Sequence, residues 1–193
     1  MKYILRPQVD ARMRVIFASA AAVIVLAGCD TMKGMWSDLT GPDGPKATAS
    51  LQPTKGNNVS GTVSFEQRGD KVRVSGKLSG LKPNSEVGFH IHEAGDCSSG
   101  DGMSAKGHFN PQGKPHGNPN SSERHAGDLP MLKSDGSGNA SVSAELDIIT
   151  VAPGPSSIVG RGLIVHVAPD DYKTQPTGNA GARSACAVIQ RSG

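Results

Sequence analysis

The chain has 193 residues, with 25 glycines, 13 prolines and only 4% aromatic residues, a composition that favours one all-β domain of short strands and turns over a helical protein. Its formal charge of +3 comes from residues 1–28, which hold four of the 20 basic residues and one of the 17 acidic residues. The remainder is neutral and has no basic stripe with interleaved aromatics, which excludes the nucleic-acid-binding classes.

The N-terminal region has the pattern of a secretory signal. In residues 13–29 a positive charge precedes an apolar run that is too short to span a membrane comfortably, and small residues follow. The sequence Leu-Ala-Gly directly before Cys29 resembles the bacterial lipobox, in which the cysteine becomes the lipidated first residue of the mature protein. We predict a lipoprotein-type signal peptide over residues 1–28. Met13 stays open as the true start, because a proline and an aspartate are unusual in a signal's basic end.

This motif also predicts where the protein resides. A lipid on Cys29 would hold it at the periplasmic side of a bacterial membrane, whereas a plain signal would release it. Asp30 resembles the signal that keeps enteric lipoproteins in the inner membrane. Residues 29–46 contain glycines and prolines without periodicity and are predicted to be a flexible tether. The folded domain is expected over residues 47–193.

Alternating apolar and polar residues predict half-buried strands in the domain. Seven segments share this pattern: residues 47–52, 59–66, 72–78, 86–92, 139–149, 162–167 and 185–189. They indicate seven or eight short antiparallel strands. A Greek-key barrel or sandwich is the expected architecture, because closure of the sheet removes exposed strand edges.

Five of the six histidines lie within residues 90–125. His90 and His92 are two apart in an apolar strand, so their side chains share one face and their apolar neighbours take the other. His166, in a later strand, also faces away from its apolar neighbours, so three strand histidines can converge. Ordinary surface histidines are the alternative, but their density and spacing favour a metal site.

Residues 93–138 have almost no helix or strand signal, which indicates a functional loop. Among its glycines, prolines and asparagines lie His108, His116, His125 and Asp128. Imidazole nitrogens with one carboxylate suit Zn(II) or Cu(II) better than Mg or Ca. The loop is therefore predicted to wrap a second ion.

Two cysteines remain once Cys29 is assigned to lipid. Cys97 and Cys186 are an even pair in an exported protein, so a disulfide is expected in preference to two free thiols. The closing strand brings Cys186 back towards the histidine loop. A second long loop, residues 168–184, precedes that strand.

Taken together, these motifs resemble the copper/zinc superoxide dismutases in their bacterial exported form, over residues 47–190. The resemblance rests on four motifs: Gly88-Phe89-His90-Ile91-His92-Glu93, Gly107-His108-Phe109-Asn110-Pro111, His125-Ala126-Gly127-Asp128-Leu129, and Gly178-Asn179-Ala180-Gly181-Ala182-Arg183 followed by Ala185-Cys186. It implies an eight-stranded antiparallel Greek-key β-barrel with two long functional loops, and one copper and one zinc ion per subunit.

Carried over by position, the resemblance also implies residue roles. The copper ligands fall on His90, His92, His108 and His166. The zinc ligands fall on His108, His116, His125 and Asp128, so that His108 bridges both ions as an imidazolate. An aspartate that links a copper histidine to a zinc histidine matches Asp170, with Asp171 as the weaker alternative. Arg183 matches the anion-guiding arginine, and Cys97 with Cys186 matches the intrasubunit disulfide.

The implied activity is disproportionation of superoxide. One superoxide anion reduces copper and leaves as oxygen, and a second reoxidises it, takes two protons and leaves as hydrogen peroxide. On reduction the bridge through His108 is expected to open, and its freed nitrogen is expected to take a proton for the departing peroxide. Zinc is expected to order the loop.

The chain departs from the family pattern at two places. Cys97 lies five residues after His92, closer than in eukaryotic members, which reshapes the subloop that often forms the dimer contact, so a monomer and a homodimer both stay open. Pro176 occupies a position where eukaryotic members often carry lysine, so anion steering would rely on Lys173 or be weaker.

Two other functions compete with dismutation. A membrane-tethered copper/zinc-binding protein without turnover would need no anion-binding arginine, whereas both His166 and Arg183 are present. A zinc hydrolase is the second rival, but three histidines and an aspartate fill four zinc positions and indicate a closed structural site.

Overall fold

Strands are the main regular elements of the computed structural model, which describes residues 44–193. In this part of the chain one 3-10 helix covers Met103–Ala105. The strands are β1 (Lys46–Pro53), β2 (Ser60–Arg68), β3 (Lys71–Ser79), β4 (Glu86–Val87), β5 (Phe89–His92), β6 (Leu132–Lys133), β7 (Ala140–Leu146), β8 (Gly162–His166), β9 (Arg183–Val188) and β10 (Gln190–Ser192).

Eight strands form one antiparallel sheet in the order β5-β8-β9-β1-β2-β3-β7, with β10 also paired to β1. The two ends of this sheet meet through β6, which pairs with β4 and is joined to β7 by a bridge between Ser134 and Ala140. The connections from β3 to β4 and from β7 to β8 pass over intervening strands. The predicted all-β, antiparallel Greek-key fold is confirmed.

All seven predicted segments contain strands, with three differences. The histidine segment, predicted over residues 86–92, divides at Gly88 into β4 and β5, because the N–H of Gly88 donates to Ala168 O at 2.8 Å and its carbonyl accepts from the N–H of His166 at 2.9 Å. Strands β6 and β10 were not predicted, since two or three residues are too short to show alternation. Strand β1 begins at Lys46, one residue before the predicted start of the domain.

The apolar side of each strand packs into one core. Along β1, buried and exposed side chains alternate as predicted. In β5, Phe89 and Ile91 are fully buried in this core. Burial of each such side chain contributes about 2 kcal/mol to the stability of the fold. Strand β5 therefore cannot turn its opposite face to the core without losing both contributions. The core thereby fixes the direction in which His90 and His92 project.

Two long loops leave the barrel near β5 and β8. The first connects β5 to β6, and the second connects β8 to β9. A disulfide between Cys97 and Cys186 ties the first loop to β9, as predicted.

The predictions for the N-terminal region concern residues that mostly lie outside the described part. The signal peptide of residues 1–28, the lipidated Cys29 and the tether as far as residue 43 all precede it. Within residues 44–193, no helix is both long and apolar enough to cross a membrane.

Candidate metal centre

Three histidines on two paired strands converge as the alternation predicted. His90 and His92 lie on β5 and His166 lies on β8, which pairs with β5. A backbone bridge between His92 and His108 brings in a fourth residue from the first loop. One ring nitrogen from each of these buried residues lies within 4.8 Å of the others. We call these four histidines the strand set.

The nitrogens that face each other in the strand set have no protein partner. Within the described residues, the buried atoms without a hydrogen bond are His90 Nδ1, His92 Nε2, His108 Nε2 and His166 Nε2. A buried polar atom left unpaired costs about 1–3 kcal/mol. Four such atoms pointing at one place fit a cation that accepts four nitrogen ligands.

The outer nitrogens of this set fix the tautomers. His92 Nδ1 lies 2.8 Å from Lys106 O, and His166 Nδ1 lies 3.0 Å from Gly181 O. A carbonyl only accepts, so each Nδ1 must carry the hydrogen. The lone pair is then on the Nε2 that faces the strand set, which is the state a metal ligand needs.

A second group of donors gathers around one carboxylate oxygen. Asp128 Oδ1 lies 2.8 Å from His108 Nδ1, 3.0 Å from His116 Nδ1 and 3.4 Å from His125 Nδ1. His108 Nδ1 and His125 Nδ1 are 3.3 Å apart. The edge of a tetrahedron around zinc is roughly 3.3 Å for bonds of about 2.0–2.1 Å. We call these four residues the loop set, and their spacing fits zinc.

The other oxygen of Asp128 is held by the backbone. Oδ2 accepts hydrogen bonds from the N–H of Gly117 at 3.0 Å and from the N–H of His125 at 2.8 Å. These bonds orient the carboxylate so that Oδ1 points into the loop set. His108 belongs to both sets, through Nε2 in the strand set and Nδ1 in the loop set.

Burial keeps three histidines of the strand set neutral. It lowers the pKa of His108 to about 4 and that of His166 to about 3. Burial also lowers the pKa of His92 well below its usual value, and the charges of His108 and Arg183 lower it further. Neutral imidazoles present lone pairs, so these residues are ready to bind a cation.

Carboxylates dominate the electrostatics of the loop set. Burial opposes a charge on His116, but Asp128 and Asp170 outweigh it and raise the pKa of His116 to about 9. Burial would raise the pKa of Asp128, but hydrogen bonds from three histidines lower it far below the usual value. At neutral pH a proton on His116 therefore pairs with these carboxylates, and a metal ion bound in the loop set would displace that proton.

Asp170 joins the two sets. Its Oδ2 lies 2.7 Å from His90 Nε2, and its Oδ1 lies 2.9 Å from His116 Nε2. Asp171, the alternative, instead accepts hydrogen bonds from the N–H of Lys173 and of Thr174 within its own turn. The contacts therefore favour Asp170 over Asp171 as the aspartate that links the sets.

Arg183 approaches the strand set from β9. Its guanidinium donates to the carbonyls of Gly102 and Lys106 in the first loop, and the Thr54 hydroxyl donates to the Arg183 carbonyl at 2.6 Å. These contacts fix a half-buried cation beside a carbonyl that also holds His92.

Some residues of the centre were not predicted from the sequence. Lys106 takes part through its backbone carbonyl, which any residue type could supply. Gln175 binds the backbone of His116 through its side-chain amide, and its position in the second loop carried no signal of that contact. Lys173, expected as a steering cation, is exposed, and its described hydrogen bonds stay within its own loop.

Comparisons with known proteins agree with this geometry. A family model described as copper/zinc superoxide dismutase matches residues 59–189. Superoxide dismutase [Cu-Zn] 2 of Aquifex aeolicus (strain VF5) is 42% identical over 149 residues, which cover 75% of this chain and 86% of that protein. Superoxide dismutase [Cu-Zn] of Cordyceps militaris is 45% identical over 139 residues, or 68% of this chain and 89% of that protein.

A solved structure shows the same similarity. The crystal structure of the clock protein EA4 superposes with a TM-score of 0.69 at 41% sequence identity. The superposition covers 75% of this chain and 93% of that one.

Proposed function

The chain belongs to the copper/zinc superoxide dismutase family, and from that premise we propose how the two metals are distributed between its two histidine sets. It is an oxidoreductase that converts superoxide into oxygen and hydrogen peroxide, with copper and zinc as its metals. The matched relatives are named as dismutases, which favours this activity over metal binding without turnover.

We propose that the strand set holds copper. The observation that carries this assignment is the group of four buried ring nitrogens that lack any partner in the described chain. Imidazole nitrogens suit copper. Copper, when bound, supplies one-electron exchange with the substrate.

His108 is proposed to move a proton at Nε2. Its Nδ1 stays beside Asp128 in the loop set, so Nε2 can take up a proton while the ring keeps its position. The ring is buried, which shields that proton from bulk water. A superoxide anion that gains one electron could then receive it as one of the two protons of hydrogen peroxide.

Arg183 is proposed to attract and orient the superoxide anion. The carbonyls of Gly102 and Lys106 hold its guanidinium in one direction. A fixed cation in a focusing cleft can raise anion capture by about ten- to a thousand-fold.

We propose that the loop set holds zinc in a structural role. Three histidines and one aspartate fill four positions, which leaves no open position for a hydrolytic water. Zinc bound there would add its binding free energy to the order of the first loop.

The direct test is metal analysis of the purified mature protein combined with a superoxide-consumption assay. We expect one copper and one zinc ion per chain, loss of activity on selective copper removal and recovery on copper addition. A protein that binds both metals but does not consume superoxide would instead be a metal-binding protein without turnover.

We further propose that the mature protein is lipidated on Cys29 and resides at the periplasmic side of a bacterial membrane. The lipobox-like sequence before Cys29 supports this location. The disulfide between Cys97 and Cys186 supports an oxidising compartment. Asp30 favours the inner membrane.

Membrane fractionation tests this location. The parent should stay with membranes at high salt, which removes purely electrostatic attachment, and Cys29→Ser should be unprocessed or soluble. Asp30→Ser should move protein to the outer membrane. A soluble parent would contradict the lipid anchor, and a parent already in the outer membrane would contradict only the retention signal.

On resemblance alone we propose a homodimer formed through the subloop around Cys97. Sedimentation at several concentrations should show a dimer, and a monomer throughout would contradict the proposal.

A further inference from the structure

The side chain of Gln175 holds the backbone of His116 across the gap between the two long loops. Gln175 Oε1 accepts a hydrogen bond from the N–H of His116 at 2.8 Å, and Gln175 Nε2 donates to the carbonyl of His116 at 2.8 Å. Nε2 also donates to Lys173 O at 3.3 Å. Reversing the amide would place like groups face to face, so this orientation is the one that satisfies all three partners. We call the pair of bonds to His116 the backbone clamp.

His116 has little else to fix its backbone. It lies between Pro115 and Gly117, outside every strand. Within residues 44–193, Gln175 is the hydrogen-bond partner of both backbone groups of His116. Proline lacks an N–H and glycine has the widest conformational freedom. The placement of the His116 backbone therefore depends on Gln175, 59 positions away, and on Asp128, whose Oδ2 accepts a hydrogen bond from the N–H of the following Gly117 at 3.0 Å.

The same loop also holds the ring of His116. Asp170 Oδ1 lies 2.9 Å from His116 Nε2, which leaves Nδ1 for the loop set. The loop that presents Asp170 and Gln175 is closed on itself, because the N–H of Asp171 donates to Gly178 O at 2.9 Å. Gly178 has no room for a side chain, since a Cβ there would stand 1.8 Å from Asp170 Oδ1. The ring and the backbone of His116 are thus held by one turn of the second loop.

We propose that Gln175 is a positioning residue for the loop set: its backbone clamp on His116 keeps Nδ1 in place and thereby sets how tightly zinc is retained. The inference rests on the proposed assignment of zinc to this set. Contacts one step removed from the metal typically change its affinity by 10–100-fold. Because the clamp acts through the backbone of one ligand in four, we expect an effect at the lower end, about tenfold.

The test uses the full chain loaded with copper and zinc. Gln175→Met keeps the length of the side chain and removes the clamp. The matched control is Gln112→Met, which replaces another exposed glutamine, four residues before His116, whose described hydrogen bond is a long one of 3.4 Å to Ser156. Competition with a chromogenic chelator should give a zinc dissociation constant about tenfold higher for Gln175→Met and the parental value for Gln112→Met. Copper affinity should stay at the parental value in both.

A spectroscopic readout separates positioning from general loss of stability. Cobalt(II) in place of zinc has visible bands that depend on its coordination geometry, so they should shift in Gln175→Met and stay parental in Gln112→Met. Gln175→Asn keeps an amide but is one methylene too short to reach both groups of His116, so it should lose zinc in the same way. It also serves as the test if Gln175→Met does not fold.

Three results would overturn the proposal. Parental zinc affinity and cobalt bands in the folded Gln175 variants would do so while leaving the zinc assignment intact. Equal weakening of zinc and copper would give Gln175 a general structural role instead. A parent that binds no zinc in the loop set would overturn the zinc assignment itself and the inference with it.

Discussion

The strand set and the loop set are held by different kinds of structure. Three of the four residues of the strand set lie on β5 and β8, next to side chains of the barrel core. The loop set takes all four of its residues from the first loop, where backbone groups are held by turns, isolated bridges and side chains. The difference teaches that the barrel places most of one site, whereas loops place all of the other, whose order we expect to depend more strongly on its ion.

The two sets are nevertheless joined at two points. His108 contributes one ring nitrogen to each set, and Asp170 contacts His90 of one set and His116 of the other. A substitution can therefore be chosen to affect one set, the other, or the link between them.

The largest effect is expected from His92→Ala, which removes a ligand from the strand set and none from the loop set. Dismutation should fall to background, because His92 Nε2 is one of the four converging nitrogens. Zinc content and the circular dichroism of the barrel should stay parental, since Phe89 and Ile91 still anchor β5. Glu93→Ala, at an exposed neighbouring position, is the control. Undiminished activity in His92→Ala would contradict the copper assignment.

The contrast between the sets also explains what the sequence could predict. The strand histidines were identified from the two-residue period alone, because the side of a strand on which a side chain lies is a local property of the backbone. The prediction of one continuous strand over residues 86–92 was wrong, because the division at Gly88 results from hydrogen bonds to Ala168 and His166, far along the chain.

For the loop set, the sequence alone indicated a second ion but not its ligand geometry. The distances around Asp128 Oδ1 depend on how a loop without periodicity closes on itself. The clamp from Gln175 to His116 could not be predicted, because a glutamine in a loop carries no signal for a backbone partner in another loop. Residue types that bind metals are visible in a sequence, while the groups that hold them in place are mostly not.

The disulfide is expected to have the next largest effect, and on the stability of the fold. It closes a sequence separation of 89 residues between the first loop and β9, which should stabilise the protein by about 4 kcal/mol in the chain-entropy model, or roughly a thousandfold in the folding equilibrium. The double variant Cys97→Ala, Cys186→Ala leaves no free thiol in the domain and should unfold at lower denaturant. An unchanged midpoint would show that the loop is held without it.

Asp128→Ala should disrupt the loop set and leave the strand set largely in place. Zinc affinity should fall by more than about a hundredfold. Losing a group that only contacts a metal ligand already lowers the affinity by about 10–100-fold, and Asp128 is itself a ligand in the proposed zinc site. The first loop should become sensitive to proteolysis, since bound zinc contributes to its order. Copper-dependent activity, measured with excess copper, should fall less than in His92→Ala. A loop as resistant as the parent's would mean that other contacts order it.

The smallest effect should come from the link between the sets. Asp170→Asn keeps the shape of the side chain and removes the negative charge that lies between His90 and His116. An amide can accept from only one of these two N–H groups with its oxygen, so one ring must lose orientation. We expect both metals to bind about tenfold more weakly. Asp171→Asn is the control, because Asp171 accepts hydrogen bonds only from its own turn among the described residues. If Asp170→Asn weakens zinc alone, the carboxylate orients His116 but not His90, and the strand set keeps its geometry without help from Asp170.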